Sequence, residues 1–350
     1  MAFDFAIFGS SPTALLLGGL LATTHKKSVC VIGEAWSPWP LPRRFDAGFV
    51  IATRPQAWAF LRAGSHETIK LINSIGKGLV EHVDPVLIAE TPQSLEALAH
   101  LRSVASGTGY AMERVADRTL AEPAAAWRLR DIPVLVHGKA EPAISAWLDK
   151  SGARRWRTQD GDIAIRRDGM VKIRSFGREF EASQAVLVDD AAILQWLPEA
   201  ARERLLLVPA RTVLTEPAKP IAAPIVRYLD RRVTLSQRGK SGVTAIATGA
   251  GDSSARIGST LAPQAPLRRA GDVNHTHVET GDGAPLVAHG TGTRTRLIAG
   301  LGDAGVFFAP ALARFLAGVA SDAEAAFFTA HDSGRGNARQ QVADFSVETA

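Results

Sequence analysis

Phe3-Asp4-Phe5-Ala6-Ile7-Phe8-Gly9-Ser10-Ser11-Pro12-Thr13-Ala14-Leu15-Leu16-Leu17 is the stretch on which the fold turns. Residues 3–8 form a short, mostly apolar run, which predicts a strand. Residues 9–13 are turn formers, and Leu15, Leu16, Leu17, Leu20 and Leu21 then predict a helix. A second apolar run, 29–32, ends at Gly33-Glu34, so that Glu34 follows Ala14 by 20 residues. Strand, tight turn, helix, strand and terminal acid make a βαβ unit of roughly thirty residues.

Such a unit can bind a dinucleotide. Amides at the turn and at the helix N-terminus meet a pyrophosphate, and the carboxylate ending the second strand accepts hydrogen bonds from ribose hydroxyls. Gly9, Ser10, Ser11, Pro12, Thr13 and Ala14 are the candidate turn residues and Glu34 the candidate carboxylate. Ser11 stands where a middle glycine would let the backbone approach the phosphates, and Ala14 stands at the last glycine position. On this segment alone, a purely structural βαβ is an equal reading. Arg43 and Arg44, in Arg43-Arg44-Phe45-Asp46-Ala47-Gly48 after a Trp/Pro-rich loop, are candidate phosphate ligands, with a solvated loop pair as the alternative.

Toward the other end, a strand at 296–299 leads into Gly300-Leu301-Gly302-Asp303-Ala304-Gly305 and a helix predicted over 306–316, with Pro310 inside it. Only 45 residues follow Gly305, with no second strand and terminal acid, so this GxGxxG does not make an independent nucleotide site. Together with Asp282-Gly283-Ala284-Pro285-Leu286-Val287 and Ala309-Pro310, the segment resembles the FAD-dependent D-amino-acid oxidase and glycine oxidase superfamily, of glutathione-reductase-type Rossmann fold. The helix ending Trp147-Leu148-Asp149-Lys150-Ser151-Gly152-Ala153 is similar to the family's helix before its adenine-side strands. The resemblance implies an FAD cofactor. It also implies that Gly302, Asp303, Ala304, Gly305 and Val306 close the flavin site with backbone amides, Asp303 serving the ribityl and phosphate region.

Between the two ends, amphipathic helices are predicted at 67–75 and 93–105, a strand at 134–136, a helix at 143–148, short strands over 163–173 and a strand at 185–188. Strand signals dominate 205–247 without intervening helices. Alternating βα at the ends around a β-rich middle predicts an α/β fold: an FAD-binding Rossmann-type domain assembled from 1–55, 130–200 and 285–350, and an inserted α+β antiparallel-sheet substrate or cap domain from 56–129 and 201–284.

Several positions depart from the family's pattern. His277 stands where the family often has an arginine that grips a substrate carboxylate, and an imidazole cannot make that bidentate pair. His275 and His277 share a strand face by period two. Asp189-Asp190 follows the strand at 185–188 where a small turn is expected; beside a pyrophosphate they would repel it, so they are expected to turn to solvent or to a basic partner. His277, Arg211 and Tyr228 are the catalytic candidates, with Arg227 beside them as a further residue over the flavin; cross-strand pairing is the alternative role for the β-block residues.

Composition narrows the function classes. Apolar residues make up 46% and charged residues 21%, which suits a globular chain. The net charge of +5 comes from arginines scattered in pairs, with no aromatic-rich basic motif, so nucleic-acid binding is not expected. The single cysteine, Cys30, excludes an intrachain disulfide and a multi-cysteine metal site. No signal peptide and no membrane span is read, and a cytoplasmic location is expected. The functional expectation is an FAD-dependent oxidoreductase acting on an amine, amino acid or similar small-molecule donor. A catalytically degenerate flavoprotein-fold subunit, structural or electron-transferring within a larger complex with a partner subunit, is the alternative. A nicotinamide-dependent dehydrogenase is the weaker third, because its fold has no use for a flavin-closing C-terminal helix.

Overall fold

The strand Ala2–Phe8 feeds two cores at once. Phe5 and Ile7 pack with Leu15, Leu16 and Leu17 on one face, and Phe3, Ala6 and Phe8 with Cys30, Ile32 and Ile193 on the other. A strand apolar on both faces belongs in the middle of a sheet covered on both sides. The computed structural model describes residues 2–34, 41–49, 55–115, 124–175, 177–262, 268–332 and 334. The Trp/Pro-rich segment at 35–40 lies outside the described residues.

Ala2–Phe8 sits fourth in the order Leu286–His289, Arg296–Ala299, Arg178–Leu187, Ala2–Phe8, Val29–Gly33, Arg154–Arg157. The last five run parallel and Leu286–His289 is antiparallel. Two short strands, Asp162–Ile165 and Val171–Ser175, fold back on the start of Arg178–Leu187. From Ala2–Phe8 the chain passes through the helix Pro12–Thr23 to Val29–Gly33 on one side, while Arg178–Leu187 lies on the other. That reversal leaves a crevice at the carboxyl ends of Ala2–Phe8 and Arg178–Leu187, the usual place for a ligand in an open α/β sheet.

A second sheet has the order Arg269–Thr280, Leu205–Pro217, Gly242–Thr248, Val233–Ser236, Ile225–Tyr228, Val86–Ala89, Ala125–Leu129, Met112–Val115. It is antiparallel except where Val86–Ala89 runs parallel to Ile225–Tyr228. Val213, Val233, Leu235, Val243, Ala245 and Ala247 bury one face with Ile257 and Leu261 of the helix Ser253–Leu261. The doubly wound α/β sheet drawn from separated segments, with an α+β antiparallel-sheet layer inserted, is the expected fold class.

Element boundaries shift where proline or polarity misled the sequence reading. The helix expected at 143–148 is His137–Lys150, which runs through Pro142 although that proline removes the hydrogen bond to the residue 138 carbonyl and crowds it. The strand expected at 185–188 is the end of Arg178–Leu187. The helix expected at 306–316 is two elements, a 3-10 segment Gly302–Phe308 and the α-helix Ala309–Ala317. Pro310 has no N–H for residue 306 to receive, so the regular helix starts afresh with the proline in its first turn. Among the described residues, no single helix is long and apolar enough to cross a membrane.

Candidate functional site

The two glycine-containing turns meet. A β-carbon placed on Gly305 would stand 3.3 Å from Thr13 Oγ1, so the C-terminal segment lies against the start of the helix Pro12–Thr23. Arg44 reaches across the same crevice: its Nη2 donates to Asp190 Oδ2 at 2.8 Å and its Nη1 to the Gly302 carbonyl at 3.4 Å. The Ala47 amide donates to the Asp303 carbonyl at 2.6 Å, fixing the Arg44 segment to the C-terminal turn.

The first turn is held tightly. The Gly9 amide donates to the Ile32 carbonyl at 2.9 Å, and the Glu34 amide to Ser10 Oγ at 3.0 Å. A β-carbon on Gly33 would come within 2.5 Å of that Ser10 Oγ. Glu34 is exposed at the end of its strand, at the position a ribose-binding acid takes. Ser11 is the N-cap of the first helix, its Oγ accepting from the Ala14 amide at 3.3 Å, and Pro12 has no amide hydrogen to offer.

What occupies the remaining turn amides is a side chain of the protein itself. Asp189 Oδ2 accepts from the Ser10 amide at 2.6 Å and from the Ser11 amide at 3.0 Å. Its other oxygen, Oδ1, accepts from the Ala192 amide at 2.9 Å and caps the helix Asp190–Trp196. The expectation that Asp189 turns to solvent or to a basic partner is therefore corrected. Leu187 ends a strand beside Phe8, the Val188 amide bonds the Phe8 carbonyl at 3.0 Å, and the next side chain falls directly onto the turn.

Asp190 does meet basic partners. His277 Nδ1 lies 2.8 Å from Asp190 Oδ2, the oxygen that also takes Arg44. Burial pushes the Asp190 carboxyl up, but Arg44 and His277 outweigh it and hold the group well below the usual carboxylate range. On Arg269–Thr280 the side chains of His275, His277 and Glu279 share one face, and the two imidazole rings are 5.5 Å apart. Burial, His277 and Arg43 push His275 down to about 4, so its ring is neutral at pH 7. Burial raises Glu279 in spite of Arg232, which donates to its Oε1 at 3.2 Å; its Oε2 is buried without a hydrogen bond among the described residues.

The other sequence candidates divide. Arg227 donates to Asp303 Oδ2 at 2.8 Å, joining the second sheet to the C-terminal turn. Ala304, Gly305 and Val306 are buried in the 3-10 segment behind it. Arg43 is exposed. Arg211 spends its guanidinium on Asp272 of the neighbouring strand, through Nε at 2.8 Å and through Nη2, the cross-strand role weighed for it above. The Tyr228 ring lies under the Arg231 guanidinium, 5.0 Å from it. Two participants escaped the sequence reading. Glu279 continues the period-two pattern of the histidines, a usable signal. His137 was not singled out: its Nε2 lies 3.0 Å from the buried Asp46 carboxylate and its Nδ1 3.2 Å from Glu141. Burial lowers this imidazole, yet Asp46 and Glu141 together bring it up to about 9.

No protein-family model matches the sequence. No curated protein matches it at a significant level either. Solved structures do match. NikD, described as an unusual amino acid oxidase essential for nikkomycin biosynthesis, superposes with a TM-score of 0.70 at 14% identity, over 97% of this chain and 100% of that one. Glycine oxidase from Bacillus cereus gives 0.68 at 14% identity, over 91% and 96%. Iminodiacetate oxidase from Chelativorans gives 0.66 at 14% identity, over 90% and 94%. With near-complete coverage on both sides at such low identity, what is common is the architecture: this chain has the fold of glycine oxidase and NikD.

Proposed function

We propose that the chain is an FAD-dependent oxidoreductase that oxidises a small amine or amino-acid donor. The supporting observation is the convergence of the Ser10–Thr13 turn, Glu34 and the Gly302–Gly305 turn on one crevice, in a fold shared over nearly its whole length with amino-acid oxidases. A flavin supplies the hydride acceptor in such chemistry; the protein binds, orients and excludes water. Glu34 suits the ribose, and the close approach of Gly305 to Thr13 suits a cofactor clasped from both ends of the chain. At the Ser10 and Ser11 amides the residues do not suit a pyrophosphate as they stand, because Asp189 is bound there. The division into cofactor segments 1–55, 130–200 and 285–350 and cap segments 56–129 and 201–284, the role of His277 on the donor side, and a cytoplasmic setting belong to the same proposal.

The test is an absorbance scan of the purified chain, then reconstitution with FAD and anaerobic titration against primary and secondary amines and amino acids. Flavin bands that bleach with one class of donor support the proposal; a colourless protein that takes up no added FAD ends it. A second reading, a degenerate flavoprotein-fold subunit within a larger assembly, is motivated by the Asp189 contact with the turn amides. FAD bound but reduced by no donor, together with a co-purifying chain, selects it.

A further inference from the structure

The turn that would receive a pyrophosphate already holds an anion. Asp189 Oδ2 accepts two consecutive main-chain amides, at 2.6 and 3.0 Å, which is how backbone concavities hold phosphate oxygens. Among the described residues no cation pairs with Asp189, the nearby Arg44 being engaged by Asp190. Among the described residues its hydrogen bonds come from main-chain amides, those of Ser10 and Ser11 on one side and Ala192 on the other. The position is fixed rather than incidental, since Oδ1 caps its own helix while Oδ2 crosses to the turn. The space is filled as well as the donors: a β-carbon on Gly9 would stand 2.7 Å from Asp189 Oδ2. Of the first helix's opening positions, Pro12 has no amide hydrogen and the Ala14 amide is taken by Ser11, so that Thr13 alone adds to the Ser10 and Ser11 donors.

We infer that Asp189 competes with the cofactor's pyrophosphate for the Ser10 and Ser11 amides, so that the wild-type chain holds FAD more weakly than its own turn allows. The inference rests on the FAD reading above. Two anions cannot share one pair of donors, and bringing a second negative charge to this turn requires the carboxylate to leave both amides first. A neutral side chain at 189 frees them.

The experiment titrates full-length wild type, Asp189→Ala and Asp189→Ser with FAD, following flavin fluorescence, and with adenosine and ADP by calorimetry. Serine keeps a cap for the helix at 190–196 yet is too short to reach the turn, so it serves if alanine compromises folding. Thermal melts check that each variant is folded. The expected result is FAD bound at least ~10-fold more tightly by both variants, a gain of about 1.4 kcal/mol or more. In wild type ADP binds no more tightly than adenosine, whereas in the variants the diphosphate adds affinity. FAD bound equally by all three proteins overturns the inference and leaves the cofactor reading standing. So does ADP binding wild type at least ~10-fold more tightly than adenosine. FAD bound by none of them overturns both.

Discussion

His277 and Asp190 are joined at 2.8 Å across the boundary between the two sheets, with Arg44 on the same carboxylate oxygen. The strand Arg269–Thr280 and the helix Asp190–Trp196 belong to different layers, so this ion chain sets how one layer sits on the other. Asp190 is held well below its usual value of 3.8, so its contribution is fully present above that value and is lost as pH falls through the depressed one. Asp190→Asn should lower stability by about 1–3 kcal/mol, the cost of leaving the part-buried Arg44 without its anion. It should also flatten the acid limb of the pH–stability curve. Urea unfolding at pH 7 and at pH 3 checks both.

The Asp46–His137–Glu141 group gives the opposite pH dependence. His137 sits at about 9, above its ordinary 6.5. Its contribution is complete below 6.5 and disappears as pH rises through about 9, amounting to at most ~3 kcal/mol for a shift of this size. Wild type should lose stability between pH 6.5 and 9.5, and His137→Ala should show a smaller loss over the same window. Urea midpoints across that range decide it; equal slopes would count against the pairing.

Gly18 in the first helix faces the parallel sheet, where a β-carbon would come within 2.5 Å of Val31 Cγ2. Alanine improves helix propensity by ~1 kcal/mol in an exposed site. Here Val31 is buried in the sheet and cannot move freely, so overpacking should win and Gly18→Ala should destabilise by about 1–3 kcal/mol. A lowered melting temperature is the expected outcome.

Cys30 is fully buried, and burial pushes its thiol up to about 12. Thiolate is the reactive form, so the native protein should resist a thiol-specific disulfide reagent at pH 8 and react with one equivalent once unfolded in guanidinium. Rapid labelling of the folded chain would place this strand nearer the surface than it is found here.

The ends of the chain were legible because their physics is local. Apolar runs at 3–8 and 29–32, with turn residues between them, specify strand, turn and helix without reference to anything distant. Of the strand Arg269–Thr280 only the period-two pair His275 and His277 was legible, because Arg-Ala-Gly-Asp-Val-Asn-His-Thr-His-Val-Glu-Thr offers little apolar alternation by which to read its length. Its pairing with Leu205–Pro217 along nearly its full length is what holds it. At the site, the turn residues and Glu34 could be named from spacing. The destination of Asp189 could not, since it depends on two parallel strands ending level with one another, a relation between residues 179 positions apart.

The parallel pairing of Val86–Ala89 with Ile225–Tyr228 bears on biosynthesis. Antiparallel neighbours can zip from a hairpin, but this contact bridges a long intervening stretch that itself contains four of the eight strands of the other sheet. A chain emerging from the ribosome therefore reaches Leu129 with three strands paired and one edge of Val86–Ala89 still open, and must wait some hundred residues for the strand that covers it, a delay of order 5–20 seconds at ~5–20 residues per second. The first sheet waits longer still, until Arg296–Ala299 emerges to flank Arg178–Leu187. Consolidation is thus deferred until the strand Arg296–Ala299 has emerged, and chains cut short before it should depend on holdase chaperones to stay soluble.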